Sequence, residues 1–316
     1  MHPISHIKDK DLNPTMQSMH AMKFFTLLVL VALMAPFAVA QDVAVNLYVL
    51  NLGKYDVATG SFSADFYLSL TCDDECPGDF EFMNGRAASI DTIIDEPDEK
   101  FYRIVANLNS PVDLREFPFD TQSMHIRIED KTHTSNEVTY VPDTGQSGID
   151  DSIAFTGWNI DGWSAESVAH EYGVYNETYS QYVFSIAISR IPLSSFFKTF
   201  LPVLFMVLIV MFTFIMDPDK ITTRLTVSTS SLVASVMFHI SISNQIPPVG
   251  YLTNADKFMV LTYFLFLLCV AINVGILELL ERKNTELAEK IHRRTEYLVF
   301  FIVPAIYAIF FLLVMW

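Results

Sequence analysis

After residue 40, the first half of the chain alternates apolar and polar positions over short runs. The alternating runs lie at residues 45–49, 62–70, 101–107, 124–129 and 182–188. This alternation is the period of half-buried β-strands, and glycine and proline punctuate the segments between the runs. The pattern predicts an all-β, immunoglobulin-like sandwich of two antiparallel sheets over residues 41–191.

The second half of the chain carries long apolar runs instead, each close to the roughly 20 residues that cross a bilayer as a helix. They predict a transmembrane domain over residues 192–316, with helices at about residues 193–216, 221–245, 256–281 and 294–316. The densest basic cluster of the chain separates the third helix from the fourth and marks the cytoplasmic side. We therefore expect a multi-pass protein of the cell (inner) membrane whose sandwich is extracellular or periplasmic.

Residues 1–40 have the features of a secretory signal. A Met-Lys pair at residues 22–23 precedes an apolar run at residues 24–35, and residues 38–40 form an Ala-Val-Ala cleavage site. We expect the signal, with some residues upstream of it, to end at residue 40, so that the mature chain begins near Gln41. The alternative is a fifth membrane helix, for which the apolar run is short.

The sandwich region is strongly acidic. Residues 41–190 hold 26 Asp and Glu against 8 Lys and Arg, whereas residues 191–316 hold 8 against 9. Such a domain repels nucleic acid and concentrates cations near its surface. The charge therefore argues against a nucleic-acid partner and favours a cationic ligand or a permeant cation.

Two of the three cysteines lie close together in this acidic region. Cys72 and Cys76 enclose the sequence Asp-Asp-Glu in a segment that meets an oxidising compartment after export. A local disulfide is one interpretation, and a metal clip or a solvated acidic loop are the others. Because no histidine lies nearby, we expect no metal site, and no motif points to a cofactor. Cys269 lies in an apolar segment and is expected to pack there.

One apolar segment is unusual because hydroxyl side chains recur along residues 225–244. Steps of three and four residues trace a stripe that is polar at both ends and apolar in the middle. The stripe consists of Thr226, Ser230, Val233, Met237, Ile240 and Asn244. Hydroxyls can replace part of an ion's water shell, and a ring of apolar side chains can block conduction by dewetting. The stripe therefore indicates a pore, which needs several copies around an axis; the alternative is close packing of small residues between helices.

Other classes of protein fit the sequence less well. A membrane-anchored sensor, whose sandwich binds a ligand without conduction, would need no polar stripe in one helix. No nucleophile elbow, phosphate-binding loop, zinc-protease motif or dinucleotide fingerprint occurs, so we expect no enzyme. A transporter would more often have repeated halves and charged residues at mid-membrane.

Residues 110–122 read Ser-Pro-Val-Asp-Leu-Arg-Glu-Phe-Pro-Phe-Asp-Thr-Gln. This segment resembles the signature loop of the pentameric ligand-gated ion channels, also called Cys-loop receptors. In animal members two cysteines bracket the loop, whereas this chain has Ser110 and Met124 there, a departure that bacterial members share. Further matches follow in order at Arg190, Pro202, Arg224, Pro247 and Tyr251. The resemblance implies a ring-shaped homopentamer in membrane lipid, in which ligand binding opens a pore lined by the second helix.

The resemblance also assigns coupling between the domains to the lower loops of the sandwich. The matching residues are Phe117, Pro118, Phe119, Asp120, Arg190, Pro247 and Tyr251. We expect Asp120 and Arg190 to form an ion pair near the membrane surface. The alternative is that these residues only hold the two domains together. Asp219 and Arg224 are expected at the inner mouth of the pore.

By the same resemblance, the agonist pocket lies between neighbouring sandwiches, under a hairpin of each. The matching residues are Glu129, Asp130, Lys131, His133, Tyr172, Tyr175, Glu177 and Tyr179. Tyrosines beside carboxylates suit an amine, whereas the carboxylates or His133 could instead bind protons, and several carboxylates could collect a divalent cation. Ordinary hairpin packing is the alternative for the tyrosines.

Selectivity for monovalent cations is the expectation for the pore. The glutamate that many cation channels carry before the Arg224 position is replaced by threonines at residues 222–223, and the proline–alanine pair of anion channels is absent. The expectation of cation selectivity therefore rests on the acidic outer domain, which concentrates cations near the pore.

Overall fold

The computed structural model describes residues 40–315, so the expected signal at residues 1–40 lies outside the described residues except for Ala40. In this described part of the chain, ten strands are followed by five α-helices and one short 3-10 helix. The strands are β1 (Gln41–Leu52), β2 (Ser61–Thr71), β3 (Phe80–Phe82), β4 (Gly85–Asp95), β5 (Glu99–Asn109), β6 (Thr121–Asp130), β7 (Val138–Pro142), β8 (Gly148–Ile149), β9 (Trp158–Tyr172) and β10 (Glu177–Arg190).

The strands form two sheets that face each other across one core. The first sheet has the order β4-β5-β2-β1-β7, with β8 also paired to β1, and the second has the order β3-β6-β10-β9. Alternation explains the packing: Phe62, Ala64, Phe66 and Leu68 of β2 are buried, while the residues between them are only partly buried. The expected sandwich is confirmed, although β1 pairs with β7 and β8 in parallel rather than antiparallel.

The helices are α1 (Pro192–Thr199), α2 (Leu201–Thr213), α3 (Ile221–Ser243), α4 (Asn254–Glu281) and α5 (Thr285–Met315), and the 3-10 helix Pro218–Lys220 precedes α3. Among the described residues, three spans are long and apolar enough to cross a membrane. They contain α3, α4 and α5. Helices α1 and α2 together make a fourth if the bent pair is one span. Phenylalanines dominate their shared core, in which Phe200, Phe258 and Phe266 are almost fully buried.

The expected first helix is broken. Helices α1 and α2 meet at Phe200 with a bend of 44°. Pro202 explains the bend, because its nitrogen carries no hydrogen to donate to the carbonyl of Lys198 and its ring crowds the preceding turn.

The last helix is longer than the sequence predicted. Helix α5 begins at Thr285, whereas we expected a start near residue 294, so only residues 282–284 separate it from α4. Residues 285–293 are charged and helix-favouring rather than apolar. A search for apolar spans therefore finds the membrane-crossing part of α5 and misses its polar beginning.

The structure joins Cys72 and Cys76 in a disulfide between β2 and β3. Cys269 is a buried thiol in the core of the helices. Within residues 40–315, no group of three or more His, Cys, Asp or Glu side chains is arranged to hold a metal ion.

Candidate functional site

A pocket of about 240 Å³ lies where β3, the end of β6 and the β9–β10 hairpin meet. Its lining is acidic and aromatic, and consists of Glu81, Glu129, Asp130, Lys131, Tyr172, Tyr175, Glu177 and Tyr179. Seven of the eight residues expected at an agonist pocket therefore line one cavity. The structure also adds Glu81, which the sequence analysis missed.

The carboxylate of Glu129 is the centre of a buried hydrogen-bond network. Glu129 is 1% exposed. Its Oε1 pairs with His170 Nδ1 and accepts a hydrogen bond from Gln181 Nε2, and its Oε2 accepts one from the Tyr172 hydroxyl at 2.9 Å. Burial and the hydrogen bond to Glu129 raise the pKa of Tyr172 to about 12, so its hydroxyl stays protonated and keeps donating. The network fixes the back wall of the pocket.

Asp130 lines the pocket and keeps one buried carboxylate oxygen without a hydrogen-bond partner in the described part of the chain. Its Oδ1 accepts hydrogen bonds from the Thr132 backbone at 2.8 Å and from the His133 backbone at 2.6 Å. The same oxygen lies 2.9 Å from His133 Nδ1. Asp130 is 3% exposed, and its Oδ2 has no hydrogen-bond partner among residues 40–315. His133 therefore anchors Asp130 from outside the lining rather than forming part of it.

The hairpin tyrosines differ in how they are held. Tyr172 packs edge-on against Tyr179 with ring centroids 5.6 Å apart, and the Tyr179 hydroxyl donates to Glu177 at 3.2 Å. Tyr175, at the tip, is 73% exposed. Packing within the hairpin therefore accounts for Tyr172 and Tyr179 in part, whereas Tyr175 is free to contact a ligand.

The lower end of the sandwich is tied together by an ion pair. Asp120 is 1% exposed, and its Oδ1 accepts a hydrogen bond from Arg190 Nε at 2.6 Å while its Oδ2 accepts one from Gln122 Nε2 at 2.7 Å. The Arg190 guanidinium also lies 4.5 Å from the ring centroid of Trp158 and 5.0 Å from that of Phe117. The expected pair is present, at the end of β10 where the helices begin.

The segment 110–122 contacts the helices directly. Phe117 is buried with Leu114, Ile242 and Ala255, and Phe119 packs on Phe200 with centroids 5.7 Å apart. Pro118, after a cis peptide bond, is buried beside them.

The same segment also supplies acceptors and donors to the start of α4. The Asn254 backbone N–H donates to the Arg115 carbonyl at 3.1 Å, and that of Ala255 donates to the Phe117 carbonyl at 3.0 Å. The first turn of α4 thus obtains partners for backbone donors that a helix leaves free. Tyr251 accepts a hydrogen bond from the Leu114 backbone at 2.8 Å, whereas Pro247 is only partly buried.

Helix α3 has two distinct faces. All six residues of the sequence-derived stripe from Thr226 to Asn244 are exposed, and Val233 and Met237 are each 63% exposed. The opposite face is buried against the other helices and contains Arg224, Ser228, Ser231, Ser235 and Ile242. The buried serines pack inside the bundle, as the small-residue alternative describes for that face.

The two residues expected at the inner mouth lie in different environments. Asp219 is exposed and pairs with Lys220 at 3.0 Å. Arg224 is 0% exposed, and its Nη1 donates to His292 Nδ1 of α5 at 3.1 Å. The placement of both residues at the inner mouth stays a prediction, but Arg224 does not lie on the stripe, because it precedes Thr226 by two residues. At 100° per residue, this turns its side chain about 200° away from the stripe.

Residues 100–192 match the family described as neurotransmitter-gated ion-channel ligand binding domain. A proton-gated ion channel of Gloeobacter violaceus is 26% identical over 190 residues, which cover 59% of this chain and 52% of that protein. Ligand-gated ion channel 50 of Caenorhabditis elegans is 24% identical, over 57% of this chain and 36% of its own length. The neuronal acetylcholine receptor subunit alpha-9 of Gallus gallus is 21% identical, over 52% and 34%.

The matches therefore span about half the length of the first of these relatives and about a third of the other two. The matched residues 100–192 contain most of the acidic pocket, the Asp120–Arg190 pair and the segment that contacts α4. Together with the sandwich and its apolar helices, they make the chain a multi-pass membrane protein that is similar to the pentameric ligand-gated ion channels.

Proposed function

We propose that the chain is one subunit of a homopentameric, cation-selective channel in the cell membrane, opened by a small ligand that binds to the sandwich outside. The observation that carries this proposal is the exposed stripe of α3, whose polar ends and apolar middle suit a water-filled pore with a closable centre. A helix that faced only lipid would have no use for exposed Thr226 and Ser230.

The stripe assigns a role to each of its parts. One helix cannot enclose water, so five copies around an axis would bring five stripes together. Rings of Val233, Met237 and Ile240 would then form the barrier, because apolar rings expel water when they are narrow. Thr226 and Ser230 would offer hydroxyl oxygens to ions at the inner end.

An amine is the ligand that the pocket supports best. Four carboxylates line it against one lysine, so a cation is favoured there. The unpartnered Oδ2 of Asp130 is buried, so an ammonium group would have to displace part of the lining to donate a hydrogen bond to it, and exposed Tyr175 could cover the cation with its ring face. Protons are the second ligand to test, because Asp130 and His133 already share one contact.

Two hydrogen-bonded strands link the pocket to the membrane. Strand β6 runs from Thr121, next to Asp120, to Asp130, and β10 runs from Glu177 to Arg190. Ten residues of β6 span about 33 Å at roughly 3.3 Å per residue. A ligand that moved the pocket ends of both strands would therefore act on the Asp120–Arg190 pair and, through residues 110–122, on α4.

Cation selectivity rests on charge. The sandwich is strongly acidic, and Asp217 and Asp219 are exposed before α3. Both features raise the local concentration of cations at the ends of a pore. The stripe itself carries no charged side chain.

The test is electrical. The full-length chain is expressed in oocytes, primary amines are applied and the external pH is stepped, and reversal potentials are measured in asymmetric sodium chloride. We expect an amine-activated current that reverses near the sodium equilibrium potential. Silence despite pentamers at the cell surface would favour a sensor without conduction, and reversal near the chloride potential would refute cation selectivity.

A second measurement separates the stripe from the rest of α3. Val233→Cys should react with a cationic, membrane-impermeant thiol reagent and lose current irreversibly, because its side chain faces the pore. Ser235→Cys is the matched control, since Ser235 is 0% exposed on the opposite face. The unmodified chain is a further control, because its Cys269 is buried. Equal reactivity at the two positions would remove α3 from the pore.

A further inference from the structure

The buried Arg224 at one end of the helix bundle has an unusual partner. Its guanidinium lies 4.6 Å from the ring centroid of Phe214, and its Nη1 donates to His292 Nδ1 at 3.1 Å. Its Nε and Nη2 have no hydrogen-bond partner within the described part of the chain. A neutral histidine therefore provides the bond that joins the proposed pore helix α3 to the last helix α5.

This bond exists in only one protonation state. Arginine has five N–H donors and no acceptor, so His292 Nδ1 must keep its lone pair, and the imidazole must carry its hydrogen on Nε2. A proton on Nδ1 would place two cations 3.1 Å apart and convert the bond into repulsion. Histidine is the side chain whose ordinary pKa, near 6.5, makes such a change accessible in cells.

His292 also lines a pocket that does not include Arg224 and that contains carboxylates for a protonated ring. This pocket, of about 360 Å³, is lined by His292 and by the carboxylates of Asp217, Glu289 and Glu296. Arg293 is the cation among its lining residues. The charged groups that act on His292 are Arg224 of α3, Asp217 before the 3-10 helix, and Glu289 and Glu296 of α5. From α4, the titratable side chain near Arg224 is the buried thiol of Cys269.

We propose that His292 is a proton-binding site at the cytoplasmic end of each subunit, separate from the pocket in the sandwich. When neutral, His292 holds Arg224 and so ties α3 to α5. When protonated, it leaves Arg224 and turns toward the three carboxylates of the pocket, which frees the inner end of α3. The electrical consequence rests on the proposed channel function and on the expected orientation, whereas the exchange of partners does not.

The electrical test uses inside-out patches with the full-length chain. Cytoplasmic pH is stepped from 7.5 to 5.5 while external pH and amine are constant. We expect the half-maximal amine concentration to shift at least threefold in the native chain. His292→Ala should have the shifted value at both pH values, and His292→Asn, which keeps an acceptor near the position of Nδ1 but cannot titrate, should stay at the native pH 7.5 value. His125→Asn is the matched control in the sandwich and should respond to cytoplasmic pH as the native chain does.

Hydrogen exchange of the purified full-length chain tests the partner exchange without any current. After correction for intrinsic rates, amides of residues 221–227 should lose at least threefold protection at pH 5.5 in the native chain and none in His292→Asn. Lost protection without gated current would support the proton site and count against the channel. Equal protection at both pH values, or an acid response that persists in His292→Asn, would overturn the proton site.

Discussion

The ion pair between Asp120 and Arg190 predicts unequal losses when either partner is neutralised. Asp120→Asn leaves a guanidinium that is 20% exposed and still contacts the rings of Trp158 and Phe117. Arg190→Gln leaves a carboxylate that is 1% exposed, with the Gln122 amide as its remaining side-chain donor. The arginine substitution should therefore cost more, because the stranded carboxylate is cut off from water.

The expected magnitudes follow from these exposures. Removing one partner of a buried ion pair costs about 3–5 kcal/mol. Asp120→Asn should lie near the lower end, at about 3 kcal/mol, and Arg190→Gln near the upper end, at about 5 kcal/mol. For a domain of this size, a loss of 1 kcal/mol lowers the melting temperature by roughly 2–4 °C. We therefore expect decreases of about 6–12 °C and about 10–20 °C.

Thermal unfolding of the detergent-solubilised chain, followed by tryptophan fluorescence, measures these losses, since Trp158 lies against Arg190. Asp65→Asn is the matched control. Asp65 pairs with Arg103 in the same domain, and the two side chains are 23% and 48% exposed, respectively. The substitution should cost at most about 1 kcal/mol of stability. The double substitution at residues 120 and 190 should cost less than the sum of the single ones by about 2 kcal/mol, because neither charge is stranded.

Two results would refute this reasoning. If Asp65→Asn lowers the melting temperature as much as Asp120→Asn, burial does not set the cost. If the double substitution is additive, the two side chains do not stabilise each other.

Three further predictions concern the proposed channel. Val233→Ser should hydrate the apolar ring and raise the resting current, and an unchanged resting current would move the barrier elsewhere. Asp130→Asn should raise the half-maximal concentration of a primary amine about tenfold or more, because a charged hydrogen bond contributes about 1.5–3 kcal/mol; a shift below threefold would exclude Asp130 as the ammonium acceptor. Burial and the nearby Arg127 lower the pKa of His125 below its ordinary value of 6.5. The contribution of His125 to the free energy of folding is therefore fully present above pH 6.5 and is lost as the pH falls through the lowered pKa of the folded state. The melting temperature of His125→Asn should depend less on pH between 7.5 and 5 than that of the native chain.

Burial on one face explains why the fold could be predicted from sequence. The runs at residues 62–70 and 182–188 alternate because every second side chain enters the core, and that alternation is visible without neighbours. The expectation that the chain is not an enzyme is confirmed by the relatives named above, which are channels and a receptor subunit.

Some parts of the site depend on partners distant in sequence. Glu81 lies in a strand of three residues and lines the pocket because it pairs with Glu129 in register. Gln181 also lies opposite Glu129, and His170 is brought to it through the pairing of β9 with β10. No local pattern marks these residues. Arg224 is different, since the helical period alone places it opposite the stripe and predicts that its side chain is buried in the bundle.

The start of α4 has a consequence for how the chain can be divided. Its first turn donates to carbonyls of residues 115 and 117, and Asp256 in that turn accepts hydrogen bonds from Thr253 and from His239 of α3. The sandwich thus acts as part of the cap of a membrane helix. A fragment that begins at Pro192 would lose both carbonyl partners, so α4 should fray at its outer end. Each domain has its own main core, but the two domains share one small buried cluster and one helix terminus, so removal of the sandwich would leave the start of α4 incomplete.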